Sequence, residues 1–168
     1  VEKTTDNRED GMNFRQLLEK WGLAGLKINV GFLEAEWEPQ DADKNAAWEL
    51  YIELLTRIAT QPLDPADGDE KTALDSIHAL FALTREILKR NGKYSTRFAR
   101  LAIPILNQIV RPFTARWHRL SLQGAFIDRE RRDLFRAELE AIRKELVVYA
   151  KALADIAGVE DLTSLECK

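Results

Sequence analysis

Two residue types suited to handling a phosphate group, an arginine and a histidine, stand seven residues apart in the segment RPFTARWH, as Arg111 and His118. Seven residues make two helical turns, so on a helix the pair shares one face. An imidazole moves protons near neutral pH, and a guanidinium stabilises charge that builds at phosphorus. Cleavage of RNA by attack of the ribose 2′-hydroxyl calls for both. Around the pair, Arg97, Arg100, Arg116 and Arg119 could hold a phosphate backbone, and Trp117 could stack on a base or be buried against the bundle.

Other chemistries find weaker support. DADKN (41–45) opens like a calcium loop but has Ala46 where the sharp turn needs glycine and Ile52 where the bidentate glutamate belongs. DPADGDEKTALD fails in the same way, so both stretches read as helix caps. A di-iron bundle needs two Glu-x-x-His turns and two further glutamates. Only Asp75-x-x-His78 comes close, with Glu49 and Glu53 on the preceding helix as conceivable partners. The chain has two histidines in all, too few for a multi-histidine zinc site. It has no Gly-x-Ser-x-Gly elbow and no glycine-rich phosphate loop, and its one cysteine, Cys167, lies next to the C-terminus. The expectation is therefore no metal and no cofactor.

The arginine, six residues and a histidine resemble the short Arg…His motif of the HEPN ribonucleases, all-α bundles that work as dimers. The resemblance rests on those two residues and the helical character of the chain. It implies a metal-independent ribonuclease with Arg111 and His118 as catalytic residues. The family motif usually has a small polar residue directly after the arginine. Here that position is Pro112, which can shift the helical register between the pair.

The elements that must position these residues are helices. The chain has 168 residues, 45% hydrophobic and 32% charged, with only eight glycines and five prolines. That composition excludes a disordered chain and favours long regular elements. Residues 1–11 read as a flexible leader, and 12–166 as a single α-helical domain. One cysteine allows no internal disulfide, which favours a reducing, cytoplasmic setting. LAIPILNQIV (101–110) is far shorter than the roughly 20 residues of a membrane span.

Apolar spacing predicts a helical bundle of about five to seven helices. NFRQLLEKWG carries Phe14, Leu17, Leu18 and Trp21 on one face and stops at Gly22. Residues 26–33 fit strand or helix, and the lack of a pairing strand favours helix. A helix opened by capping aspartates at 41 and 43 carries Trp48, Tyr51, Ile52, Leu55 and Ile58 on one face. In the next, Leu74, Ile77, Phe81 and Leu88 share a face. Ser95 should cap a central helix over about 96–120, kinked or broken by Pro104 and Pro112. The clearest element is a long C-terminal helix over 129–157, bracketed by Asp128 and Gly158. Its seam of Phe135, Leu139, Ile142, Leu146, Tyr149, Leu153 and Ile156 alternates spacings of four and three. The predicted core includes Trp48, Leu55, Phe81, Ile105, Ile109, Leu139, Leu146 and Leu153.

Charge is unevenly spread. Between 33 and 75 there are 12 acidic residues against three basic, and between 85 and 119 nine Lys/Arg against Glu86 alone. Either the two stretches face each other, or each is simply solvated, or the basic one meets an anionic partner. With no complete catalytic constellation, the leading expectation is a non-enzymatic helical interaction or scaffold module. It could be part of a larger protein, with a protein partner or a second copy on a helical face and a nucleic acid or other anion on the basic surface. The alternative is a HEPN-like ribonuclease or RNA-binding bundle.

Overall fold

The computed structural model describes residues 11–165, so the leader predicted for 1–11 falls almost wholly outside the described residues, as does Cys167. The described chain is all-α: α1 (Phe14–Trp21), α2 (Val30–Leu33), α3 (Asp41–Leu55), α4 (Glu70–Asn91), α5 (Thr96–Ile105), α6 (Arg111–Leu122) and α7 (Arg129–Ala157). A 3-10 turn, Gly92–Tyr94, precedes α5, and a π turn, Leu106–Val110, joins α5 to α6. Among the described residues there is no strand, only a single bridge between Asn13 and Glu36. None of the helices is long and apolar enough to cross a membrane.

Helix ends follow sequence chemistry. Asn13 and Gln16 form a reciprocal capping box on α1, which ends at Gly22 in the left-handed region (φ 77°). Asp128 caps α7 and Gly158 closes it at φ 70°, the bounds read from sequence. The seam of α7 is buried from Phe135 to Ile156 and packs mainly along α3, so it forms core.

Several expectations need correction. The predicted face of α3 is rotated. Asp43, Ala46, Ala47, Leu50, Tyr51 and Leu54 point inward, while Trp48 is 43% exposed and Leu55 only half-buried. The two alanines let α3 approach α7 closely, so small residues define the buried face and the larger Trp48 and Ile52 lie at its edge. Ile109 is also only half-buried. Residues 26–33 form neither a full helix nor a strand: only Val30–Leu33 winds into a turn. Ser95 occupies the first position before α5 but does not cap it, because its hydroxyl donates to the Gly92 carbonyl. The cap comes from α3 instead. The buried Asp43 carboxylate accepts from the Phe98 amide (2.9 Å) with one oxygen and from the Gln40 amide (2.9 Å) with the other.

The central segment is broken, as the prolines predict, but by widening. The Arg111 amide donates to the Leu106 carbonyl, five residues back. A π turn moves the Gln108 carbonyl away from the ring of Pro112, which would clash with it in an α-helix. It also turns Gln108 outward, where its side-chain amide both donates to and accepts from the Lys27 backbone at 2.8 Å, anchoring the loop before α2.

Candidate functional site

The register change ends at Arg111. From there to Leu122 the chain is regular α-helix, so Pro112, at the start of α6, leaves the seven-residue spacing of Arg111 and His118 intact. Both line one cleft of about 250 Å³ between α4 and α6.

α4 completes that cleft. His78 meets His118 edge-on, ring centroids 4.8 Å apart and planes 77° to each other. Three residues further along α4, the Phe81 ring lies 4.7 Å from the Arg111 guanidinium. Contact thus runs from 78 to 81 on one helix and from 118 back to 111 on the other, so the helices are antiparallel. One turn beyond Phe81, Arg85 lines the same cleft. His78 and Arg85 are themselves seven residues apart, in the reverse order of Arg111 and His118. The cleft therefore has histidines towards one end and arginines towards the other. Ala79, Ala82 and Ala115 contribute only methyl groups to its lining, and Thr114 is buried there.

Each group is held. Arg111 donates through Nε (3.1 Å) and Nη2 (3.0 Å) to the Asn107 side-chain oxygen, which fixes its guanidinium between Asn107 and Phe81. His118 is half-buried, its Nε2 3.6 Å from an Asp75 carboxylate oxygen. Asp75 in turn receives the Lys71 ammonium at 2.6 Å on both oxygens. That bond and the charges of Lys71 and His118 hold the Asp75 carboxyl below the usual carboxylate range. For His78, partial desolvation and then the neighbouring charge of His118, with Arg85 and Arg111 adding, hold the imidazole below its ordinary pKa.

The other predicted site residues are dispersed. Trp117 is fully buried among Phe126 and Phe135 and donates through Nε1 to Glu138 (2.8 Å). Of the two expectations for Trp117, burial against the bundle therefore holds, and its ring cannot stack on a base. Arg116 is engaged by the same Glu138 and lies away from the cleft. Arg100 sits over the Phe32 ring at 5.0 Å, and the buried Nε of Arg97 has no hydrogen-bond partner. Arg119 is exposed. The carboxylates considered for metal chemistry are separated: Glu49 binds Arg90 and Asn91, Glu53 binds Arg57, and Asp75 faces α6. Among the described residues no group of three or more ligand-type side chains could hold a metal ion.

His78 and Arg85 are the residues that sequence reasoning missed in this role. Their signal was the reversed seven-residue spacing, which acquires meaning only once α4 is known to lie against α6. A larger hollow, about 670 Å³, lies between Leu23, Leu26 and the π turn, but Lys27 and Glu145 are the charged groups in its lining. It offers no comparable cluster.

No protein-family model, no curated protein and no solved structure matches the chain.

Proposed function

We propose that the chain is a non-enzymatic helical interaction module whose basic surface, over the C-terminal half of α4, α5 and α6, binds an anionic polymer, with single-stranded RNA as the first candidate. The observation that supports this is unspent charge. Of the nine Lys and Arg between 85 and 119, Lys89, Arg90 and Arg116 make ion pairs within the described residues, and Arg85, Lys93, Arg97, Arg100, Arg111 and Arg119 make none. Folding alone does not require six unpaired cations on one stretch, whereas a polyphosphate chain would neutralise them.

The test is fluorescence anisotropy of a labelled single-stranded oligoribonucleotide at rising salt. Binding should weaken with salt, and replacing Arg100 and Arg119 by glutamine should lower the logarithmic salt slope by about 0.7 per lost phosphate contact. A slope unchanged by these substitutions, or no binding at low salt, overturns the reading.

One observation favours a second reading, a ribonuclease: Arg111 and His118 line one cleft. An imidazole there would take the proton of the 2′-hydroxyl as its oxygen attacks phosphorus, the 5′-oxygen leaving with a proton from the solvent or from protonated imidazole. RNA cut by the wild type and left intact by His118→Ala would establish it. RNA left intact by the wild type removes it.

A further inference from the structure

The cleft itself has an electrostatic problem that the fold does not solve. Among the described residues Arg85 and Arg111 have no carboxylate partner, and two imidazoles that can each become cations stand edge to edge beside them. From α4, the titratable or charged groups that face His78 are Asp75 and Arg85; from α6 they are Arg111 and His118. Asp75 is the carboxylate that reaches the pair, and Lys71 already holds both its oxygens. Like charges gathered in a small concave space repel, and concavity raises the local potential felt by an anion. Arg85 and Arg111 are both exposed, so water screens them in the empty cleft, and a compact anion would meet their combined field there.

We propose that the cleft between α4 and α6 is a binding site for a single phosphate group, gripped by the Arg85 and Arg111 guanidiniums and closed by the two imidazoles in their protonated form. The inference rests on the anion-binding reading of the basic surface and narrows it to one place and one chemical group. Size is compatible: about 250 Å³, at the small end of ligand sites, has room for one charged group. Preorganisation supports it: Asn107 takes the Nε and Nη2 donors and Phe81 a face of the Arg111 guanidinium, which holds the group in place with its Nη1 donors left for an anion and lessens the ordering cost of binding. Protonation is part of the grip. Each imidazole becomes a two-donor cation when it gains a proton, and a bound anion favours that form.

The experiment follows the ring signals of both histidines by NMR while inorganic phosphate is added, then repeats the titration with sulfate, which stays dianionic across the range where imidazole titrates, about pH 5 to 8. Both histidines should shift saturably. Sulfate should bind more tightly as pH falls through that range, and His78→Gln should weaken that dependence. Arg85→Gln and Arg111→Gln should each weaken binding about tenfold, whereas Arg111→Lys should retain part of it. A nucleoside monophosphate and an unphosphorylated dinucleotide then separate a terminal monoester from a backbone diester as the source of the group. Histidine signals that do not move, or that move equally in both arginine variants, overturn the proposal. Its failure is distinct from failure of the surface reading, because oligoribonucleotide binding through Arg100 and Arg119 is measured independently of the cleft.

Discussion

The acidic stretch from 33 to 75 and the basic stretch from 85 to 119 differ less in the size of their charge than in what the fold does with it. In the acidic stretch most carboxylates have a job in the structure. Asp43 caps α5 from α3, Asp69 caps α4, and Asp64 closes a turn onto the Ala66 and Asp67 amides. Glu70 holds Arg136, which also donates to the Asp64 and Gly68 carbonyls and so fastens the 63–70 loop to α7. Glu49 is the main direct link between the stretches, through Arg90 and Asn91. In the basic stretch most cations have no carboxylate partner among the described residues. The expectation that the two halves simply neutralise each other accounts for a few contacts and leaves the majority of the positive charge facing outward. Charge absorbed by the fold bears on stability, and the charge left over is what the proposed anionic partner would neutralise.

That contrast predicts opposite phenotypes. Leu146, fully buried in the α7 seam, belongs to neither stretch and sets the scale: Leu146→Ala should cost about 2–5 kcal/mol in urea unfolding. Asp43→Ala should approach that cost, about 2–4 kcal/mol, since it removes a cap from two helices and leaves the Phe98 amide unpaired in the interior. Asp43→Asn should recover part of it, because an amide oxygen can still accept one of the two bonds. A cost below about 1 kcal/mol for Asp43→Ala would mean that the acidic stretch is as dispensable to the fold as the basic one.

On the other side, Arg119→Gln, at an exposed position, should shift unfolding by no more than about 0.5 kcal/mol, the usual range for surface substitutions, and Arg100→Gln, which gives up its place over Phe32, by about 0.5–1 kcal/mol. Their effect should appear in the oligoribonucleotide titration instead. Variants that unfold more easily yet bind RNA normally would reverse the contrast between the two stretches.

The parts of this contrast that could be read in the sequence are those set by local rules. The bounds of α7 follow from Asp128, Gly158 and an unbroken four-and-three spacing, all within one segment. The break near Pro112 follows from a missing amide and a steric clash, although its form as a π turn does not. The buried face of α3 was misread because Ala46 and Ala47 carry little hydrophobic signal while Trp48 and Ile52 carry much; close approach to α7, a tertiary fact, decides which side turns in. The site divides in the same way. Arg111 and His118 share one helix and were legible from their spacing. His78 and Arg85 join them only through the antiparallel packing of α4 on α6, a contact between residues about 30 to 40 positions apart for which one sequence offers no local cue. The cap supplied by Asp43 to Phe98 was hidden for the same reason.

The smallest expected effect is a pH dependence in the cleft, at His78, which lies between the two stretches and against His118 of the basic one. His78 is held below its ordinary pKa in the folded chain, while the unfolded chain takes up that proton at the ordinary value, about 6.5. The unfolded state therefore binds more protons as the solution is acidified. The stability that the neutral imidazole contributes is complete above pH about 6.5 and is lost as pH falls through that value towards the lower folded one. Asp75, whose folded pKa is also depressed, loses its contribution only further down, around and below the ordinary carboxylate value near 4, so the two groups separate on the pH axis. Urea midpoints at about pH 7.5 and 5.5 should differ in the wild type, and the difference should shrink in His78→Gln. Sulfate supplies the decisive arm. An anion in the cleft favours the protonated imidazoles, so saturating sulfate should reduce the acid-side loss in the wild type and do so less in Arg111→Gln. An acid-side loss that sulfate leaves unchanged would make His78 an ordinary desolvated histidine, and the positive charge of the cleft a property with no ligand attached to it.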